Sequence, residues 1–79
     1  MEVYELDGSI LEYLESRNIL KNYKKAKEFL KKNYLTTVQF RKRKPKSEGK
    51  YYFRITQKYR AIGIFDGHDF IVTEISDHQ

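Results

Sequence analysis

Three cations interrupt the most apolar stretch of this 79-residue chain: Arg54, Lys58 and Arg60, set within Lys50-Tyr51-Tyr52-Phe53-Arg54-Ile55-Thr56-Gln57-Lys58-Tyr59-Arg60-Ala61-Ile62-Gly63-Ile64-Phe65. Arginine carries five donors in a planar fork that meets phosphate oxygens two at a time. Arg54 and Arg60 flank a short polar turn, so they can converge on one side of it. Tyr52 and Tyr59 stand beside them with aromatic faces on which a base can stack. A second basic group precedes this stretch, with Arg41, Arg43, Lys44 and Lys46 in a segment that Pro45, Ser47 and Gly49 mark as a loop. Like charges at that density repel one another and stay mobile until an anion neutralises them. Two readings fit these residues. They can hold a phosphate backbone, or Arg54 and Arg60 can be ordinary exposed strand residues paired with Glu48 or Asp77 above a solvated basic loop.

Other chemistries are excluded by composition and spacing. There is no cysteine, which removes disulfides, thiolate metal sites and cysteine nucleophiles. Gly8, Gly49, Gly63 and Gly67 are too scattered for a phosphate-cradling loop. His68 and His78, separated by a strand, lack a zinc-binding spacing, so no metal or other cofactor is expected. Asp66, His68 and Asp69 read as solvated polar residues of a turn. Ser9, Ser47 and Ser76 have no triad context.

The formal net charge of +5 conceals a segregated pattern. Residues 1–16 carry −5, residues 17–60 carry +14, and residues 61–79 carry −4. A basic middle between acidic ends suits a partner rich in phosphate, and nucleic acid leads that class. No apolar run approaches the roughly 20 residues of a membrane span. The acidic start, Met1-Glu2-Val3-Tyr4-Glu5-Leu6-Asp7, is unlike a secretory or transit peptide. A cytoplasmic protein with no membrane partner is the expectation.

The elements that must position these residues follow from periodicity. A chain of this length makes one domain, 1–79. Residues 2–6 can form a short strand. Ser9 and Glu12 fit a capping box ahead of a helix at 10–17, with Ile10, Leu11 and Leu14 as its stripe. A second helix spans about 19–33, with Leu20, Tyr23, Ala26 and Phe29 or Leu30 on one face and Lys21, Lys24, Lys25, Lys27, Lys31 and Lys32 on the other, a surface that reads as solvated. Asn33 is its left-handed cap. Strands are expected at 36–42, 51–56, 59–65 and 70–76. Their alternation puts Tyr52, Arg54 and Thr56 on one face, and likewise Arg60, Ile62 and Ile64. In the last strand, Phe70 and Val72 are read to one side, with Ile71, Thr73 and Ile75 to the other. An Asp66-Gly67 turn joins the final pair. The expected fold is α+β, with two N-terminal helices packed on one face of a four-stranded antiparallel sheet.

Tyr52-Phe53-Arg54-Ile55, then Tyr59-Arg60-Ala61-Ile62, an Asp-Gly turn, and Ile71-Val72-Thr73-Glu74-Ile75-Ser76-Asp77-His78 together resemble the C-terminal half of the RelE/ParE superfamily of toxins from toxin–antitoxin systems. That resemblance spans residues 51–78, and the helices agree in order. It implies a basic RNA-binding, metal-independent endoribonuclease that cuts mRNA on the ribosome, blocks translation and is neutralised by an antitoxin protein. Arg54 and Arg60 would then hold the scissile phosphate and stabilise charge developing on it. Lys58 and His78 would be the candidates for proton transfer, and a histidine's ordinary pKa of about 6.5 suits both directions. Arg41, Arg43, Lys44, Lys46, Tyr52 and Tyr59 would contact the nucleic acid. Two departures stand out: Tyr52 occupies a position where some ribonuclease members carry Lys, and the basic and aromatic residues that many active relatives have beyond the last strand are not present. A gyrase-directed ParE-like member and a non-enzymatic nucleic-acid-binding module of the same fold are the alternatives. Pairing of two copies as a homodimer is left open.

Overall fold

The computed structural model describes residues 1–77; His78, read above as a proton-transfer candidate, lies outside them. The order of elements is β1 (Val3–Glu5), α1 (Gly8–Ser16), α2 (Leu20–Lys31), β2 (Arg41–Lys42), β3 (Lys50–Arg54), β4 (Arg60–Asp66) and β5 (Asp69–Ser76), with a short 3₁₀ turn at Lys46–Glu48. The class is α+β, as expected, but the sheet has five strands in the order β1-β5-β4-β3-β2. It is also mixed. β1 lies parallel to β5, pairing Val3 with Phe70 and Glu5 with Val72, while the other neighbours are antiparallel. The short strand expected within residues 2–6 forms, and by joining the sheet in parallel it corrects the expected four antiparallel strands to five, its apolar Val3, 2% exposed, completing the core beside Phe70.

Both helices end alike. In α1, Ile19 N–H donates to Leu14 C=O at 3.0 Å and Asn18 N–H to Glu15 C=O at 3.0 Å, around Asn18 at φ 63°. In α2, Tyr34 N–H donates to Phe29 C=O and Asn33 N–H to Leu30 C=O, both at 2.9 Å, around Asn33 at φ 65°. These are Schellman closures, for which asparagine tolerates the left-handed backbone. The start of α1 differs from expectation. Asp7, not Ser9, caps α1, accepting from Ser9 N–H at 2.9 Å and from the Ser9 hydroxyl. A capping carboxylate satisfies an otherwise unpaired amide at the positive end of the helix.

The same closure recurs a third time, in place of the strand expected at 36–42. Phe40 N–H donates to Leu35 C=O at 2.9 Å and Gln39 N–H to Thr36 C=O at 3.1 Å, with Gln39 at φ 53°. A single helical turn uses the amides of Gln39 and Phe40 that a strand would have paired, and leaves Val38 C=O to accept from Arg54 N–H at 2.7 Å. The strand itself is reduced to Arg41–Lys42, against Tyr52 and Tyr51. The alternation of Val38 and Phe40 arises because Val38, 4% exposed, fills the core from a turn.

Register sorts the sheet into two faces. Val3, Phe53, Ala61, Phe70 and Val72 meet Ile10, Leu14, Tyr23, Ala26 and Leu30 of the helices in one core. Phe40, Tyr51, Phe65 and Phe70 extend it as an aromatic cluster, with Phe40 stacked on Tyr51 at 5.4 Å and Tyr51 edge-on to Phe65 at 5.0 Å. The pairing of β4 with β5 slips between Ile62 and Gly63, matching Ile62 with Glu74 but Gly63 with Val72. That bulge overturns the simple alternation read for the last strand: Ile75 pairs with Ala61 and packs against the core. Beyond Ile64–Phe65, the hairpin tip sets Gly67 at φ 64°, a backbone that glycine adopts without steric penalty.

A polar cluster ties the parallel strand to α2. Tyr23 donates to Glu5 Oε2 at 2.6 Å and Lys27 Nζ donates to the same oxygen at 2.8 Å. Burial by itself would raise the Glu5 carboxyl, but the hydrogen bonds from Lys27 and Tyr23 and the lysine charge outweigh it and hold it below the usual carboxylate range. Burial first, and the Glu5 carboxylate second, push the Tyr23 phenol far upward. Tyr23 therefore stays a neutral donor.

Candidate nucleic-acid interface

The helix-free face of the sheet carries the residues that sequence singled out. Lys50, Tyr52 and Arg54 alternate onto it from β3, opposite Ile64, Ile62 and Arg60 of β4. Arg54 and Arg60 are directly paired, so their side chains leave the same face of the sheet. Ser76 of β5 pairs with Arg60, completing one rung of three residues at this end of the sheet. Arg41, opposite Tyr52, adds a cation from the edge strand. Ile62, only 3% exposed although it lies outside the helix-side core, occupies the centre of this face with Tyr52 and Glu74 on either side. Tyr4 and Ile64, 49% and 40% exposed, continue it as an apolar surface toward the opposite end.

The turn between Arg54 and Arg60 is fixed by its own polar groups. Ile55 N–H donates to Tyr59 C=O at 3.0 Å, and the Thr56 hydroxyl accepts from Lys58 N–H at 3.2 Å and Tyr59 N–H at 3.1 Å. Arg60 bends back over it. Its Nη1 lies 3.2 Å from Thr56 C=O, 3.4 Å from Gln57 C=O and 3.5 Å from Tyr59 C=O, at the long end of the hydrogen-bond range. One guanidinium nitrogen thus braces the turn, which leaves the remainder of the fork for an anion. Lys58 Nζ lies 5.4 Å from the centre of the Tyr59 ring. Thr56, read with Tyr52 and Arg54 on one strand face, belongs instead to this turn, because β3 ends at Arg54.

Tyr59 faces the helices. Its ring meets Tyr13 of α1 edge-on at 6.5 Å and packs against the core, so it stands apart from Tyr52, which remains on the open face. Glu48, considered above as a partner for the arginines, pairs with Lys50 at 3.8 Å. Among the described residues, Arg41, Arg54 and Arg60 form no ion pair with a carboxylate. The basic loop has backbone anchors: Arg43 N–H donates to Lys50 C=O at 2.8 Å, and Gly49, at φ 66°, closes the 3₁₀ turn. Lys44 and Lys46 are exposed on it, with Arg43 half-buried.

His68 sits at the tip joining β4 to β5, at the far end of the sheet from the arginine rung. Lys50 and Ser76 were not singled out from the sequence, yet both occupy the open face. For Lys50 the signal was present, since it is two residues before Tyr52 on an alternating strand. For Ser76 it was not, because the bulge shifts its strand's register. Among the described residues, no cluster of three or more His, Asp or Glu could hold a metal ion, and no helix is long and apolar enough to cross a membrane. No protein-family model matches this sequence, and no curated protein matches it.

Proposed function

We propose that this protein engages RNA through the basic end of its helix-free sheet face, acting as a small RelE/ParE-like toxin that cuts mRNA on the ribosome without a metal ion. The observation that carries the reading is the cross-strand pairing of Arg54 with Arg60, extended by Arg41 across Tyr52. Guanidinium groups from three strands gathered at one end of an open face suit a phosphate backbone, and Tyr52 between them suits a base. In the cutting reaction the two paired arginines would grip the scissile phosphate and offset the charge that grows as the neighbouring 2′-hydroxyl attacks. Lys58, in the intervening turn, would be the candidate to move a proton among the described residues. An antitoxin with an acidic or apolar segment would cover the same basic region.

A non-enzymatic nucleic-acid-binding module is the second reading. It is favoured by the engagement of Arg60 with turn carbonyls and of Lys58 with the Tyr59 ring, both of which brace the turn. Induction of the protein in bacteria, with mapping of mRNA 5′ ends, separates the two. The toxin reading expects growth arrest and new mRNA ends, both abolished by Arg54→Ala. Arrest with intact mRNA and altered DNA supercoiling would transfer the reading to gyrase. Harmless induction with intact mRNA would leave only the binding module.

A further inference from the structure

The lysine face of α2 is not one solvated surface. Lys27 pairs with Glu5 at 2.8 Å, and Lys31 lies 3.7 Å from Glu2 and 3.9 Å from Glu28, so the flank toward β1 is largely neutralised. Lys21, Lys24, Lys25 and Lys32 form no ion pair among the described residues. A cleft of about 300 Å³ opens on that side, between α2, the turn at Thr37-Val38 and residues 54–56. Its lining is chemically sorted. Lys25 supplies positive charge, Asn22, Thr37 and Thr56 supply short polar groups, and Arg54 borders the cleft at the end of β3. Thr56 Oγ1 already accepts two backbone N–H bonds, so its own proton is the group left to offer. The remaining lining is apolar, with Ala26, Phe29, Val38 and Ile55, and no lining residue is acidic.

We propose that this cleft binds a mononucleotide unit, its phosphate held by Lys25 and the threonine hydroxyls and its base laid over the apolar floor. A lysine with hydroxyl and amide donors and no carboxylate selects an anion. A bare phosphate would leave the Phe29 side of the cleft wetted and unused, whereas a phosphate attached to a flat, largely apolar body fills both parts. The cleft is on the helix side of the sheet, separate from the open-face rung, and meets Arg54 through its backbone, whose N–H donates to Val38 C=O at 2.7 Å. It does not require the protein to cut RNA. The unit can be a free nucleotide or the phosphorylated end of a strand.

The test is a titration of the whole chain, followed by amide chemical shifts, with 5′-AMP, adenosine, inorganic phosphate and a 5′-phosphorylated trinucleotide. 5′-AMP is expected to shift residues 22–29, 37–38 and 54–56, and to bind at least roughly tenfold more tightly than adenosine or phosphate. Lys25→Glu, at an exposed position that leaves the core intact, should weaken 5′-AMP by roughly tenfold or more, and Thr37→Val by less. Tighter binding of the trinucleotide would identify a strand end as the source, and equal binding a free nucleotide; both support the site. Shifts confined to the 43–46 loop, or Lys25→Glu binding as wild type, would overturn it. Arg41→Glu separates the two surfaces: it should weaken long RNA and leave 5′-AMP unchanged, so loss at one surface does not imply loss at the other.

Discussion

Gly63→Ala should destabilise this protein severely, although a glycine-to-alanine change in a strand ordinarily helps. A Cβ at this position would fall 2.1 Å from the Ile71 carbonyl oxygen, 2.9 Å from its carbon and 2.8 Å from Phe70 Cζ. Two of those three atoms are backbone in the adjoining strand, and the third belongs to a ring that is fully buried. None can rotate aside. Relief requires β4 and β5 to separate at the bulge, which also carries Ile75 onto the core face and Ser76 opposite Arg60. Overpacking of a tight core costs about 1–3 kcal/mol, and a backbone obstacle belongs at the upper end of that range. Reduced freedom of the unfolded chain returns about 0.4–1 kcal/mol. The net loss is then about 2–3 kcal/mol, a fall in Tm of roughly 8–24 °C for a domain of this size. Thermal and urea melts followed by circular dichroism measure it, with Gly8→Ala as the control, since a Cβ there meets nothing within 4 Å. A Gly63→Ala protein that melts within two or three degrees of wild type would refute the described register of β4 against β5.

Further outcomes follow from the charged groups. Because the Glu5 carboxyl is held low in the folded state, its contribution is complete above the unfolded value of about 4.3 and is lost as pH falls through the folded one. Urea midpoints measured from pH 7 down to 3 should decline in that window, and Glu5→Gln should flatten the decline. Tyr23→Phe removes a 2.6 Å bond while Lys27 still serves the carboxylate, and should cost about 1 kcal/mol in the same melts. Arg54→Ala should abolish RNA binding with little change in Tm, because its side chain holds no carboxylate among the described residues. Arg60→Ala should lose RNA binding and also some stability, since its Nη1 braces the turn. For single-stranded RNA, log K against log salt should lose about 0.7 from its slope for each phosphate contact removed; an unchanged slope in Arg54→Ala would mean that this residue touches no phosphate.

Much of this molecule was legible in its residues alone. Alternation in Tyr51–Arg54 and Arg60–Ile64 assigned side chains to opposite faces, because a strand's period of two admits only two registers and burial of Phe53 and Ala61 selects one. Asn33 marked a helix end because so few residue types tolerate its backbone. Three matters were settled by tertiary structure. The parallel pairing of Val3–Glu5 with β5 joins the two ends of the chain, and no local pattern encodes a partner so distant in sequence. Val38 and Phe40 alternate like a strand yet belong to a helical turn and its exit, because burial is satisfied by either backbone while the Leu35–Phe40 hydrogen bond allows one. The lysines of α2 look alike in sequence, and only the placement of Glu2 and Glu5 beside Lys31 and Lys27 leaves Lys25 uncompensated at a cleft: charge composition is local, but neutralisation depends on what the fold brings within a few ångströms.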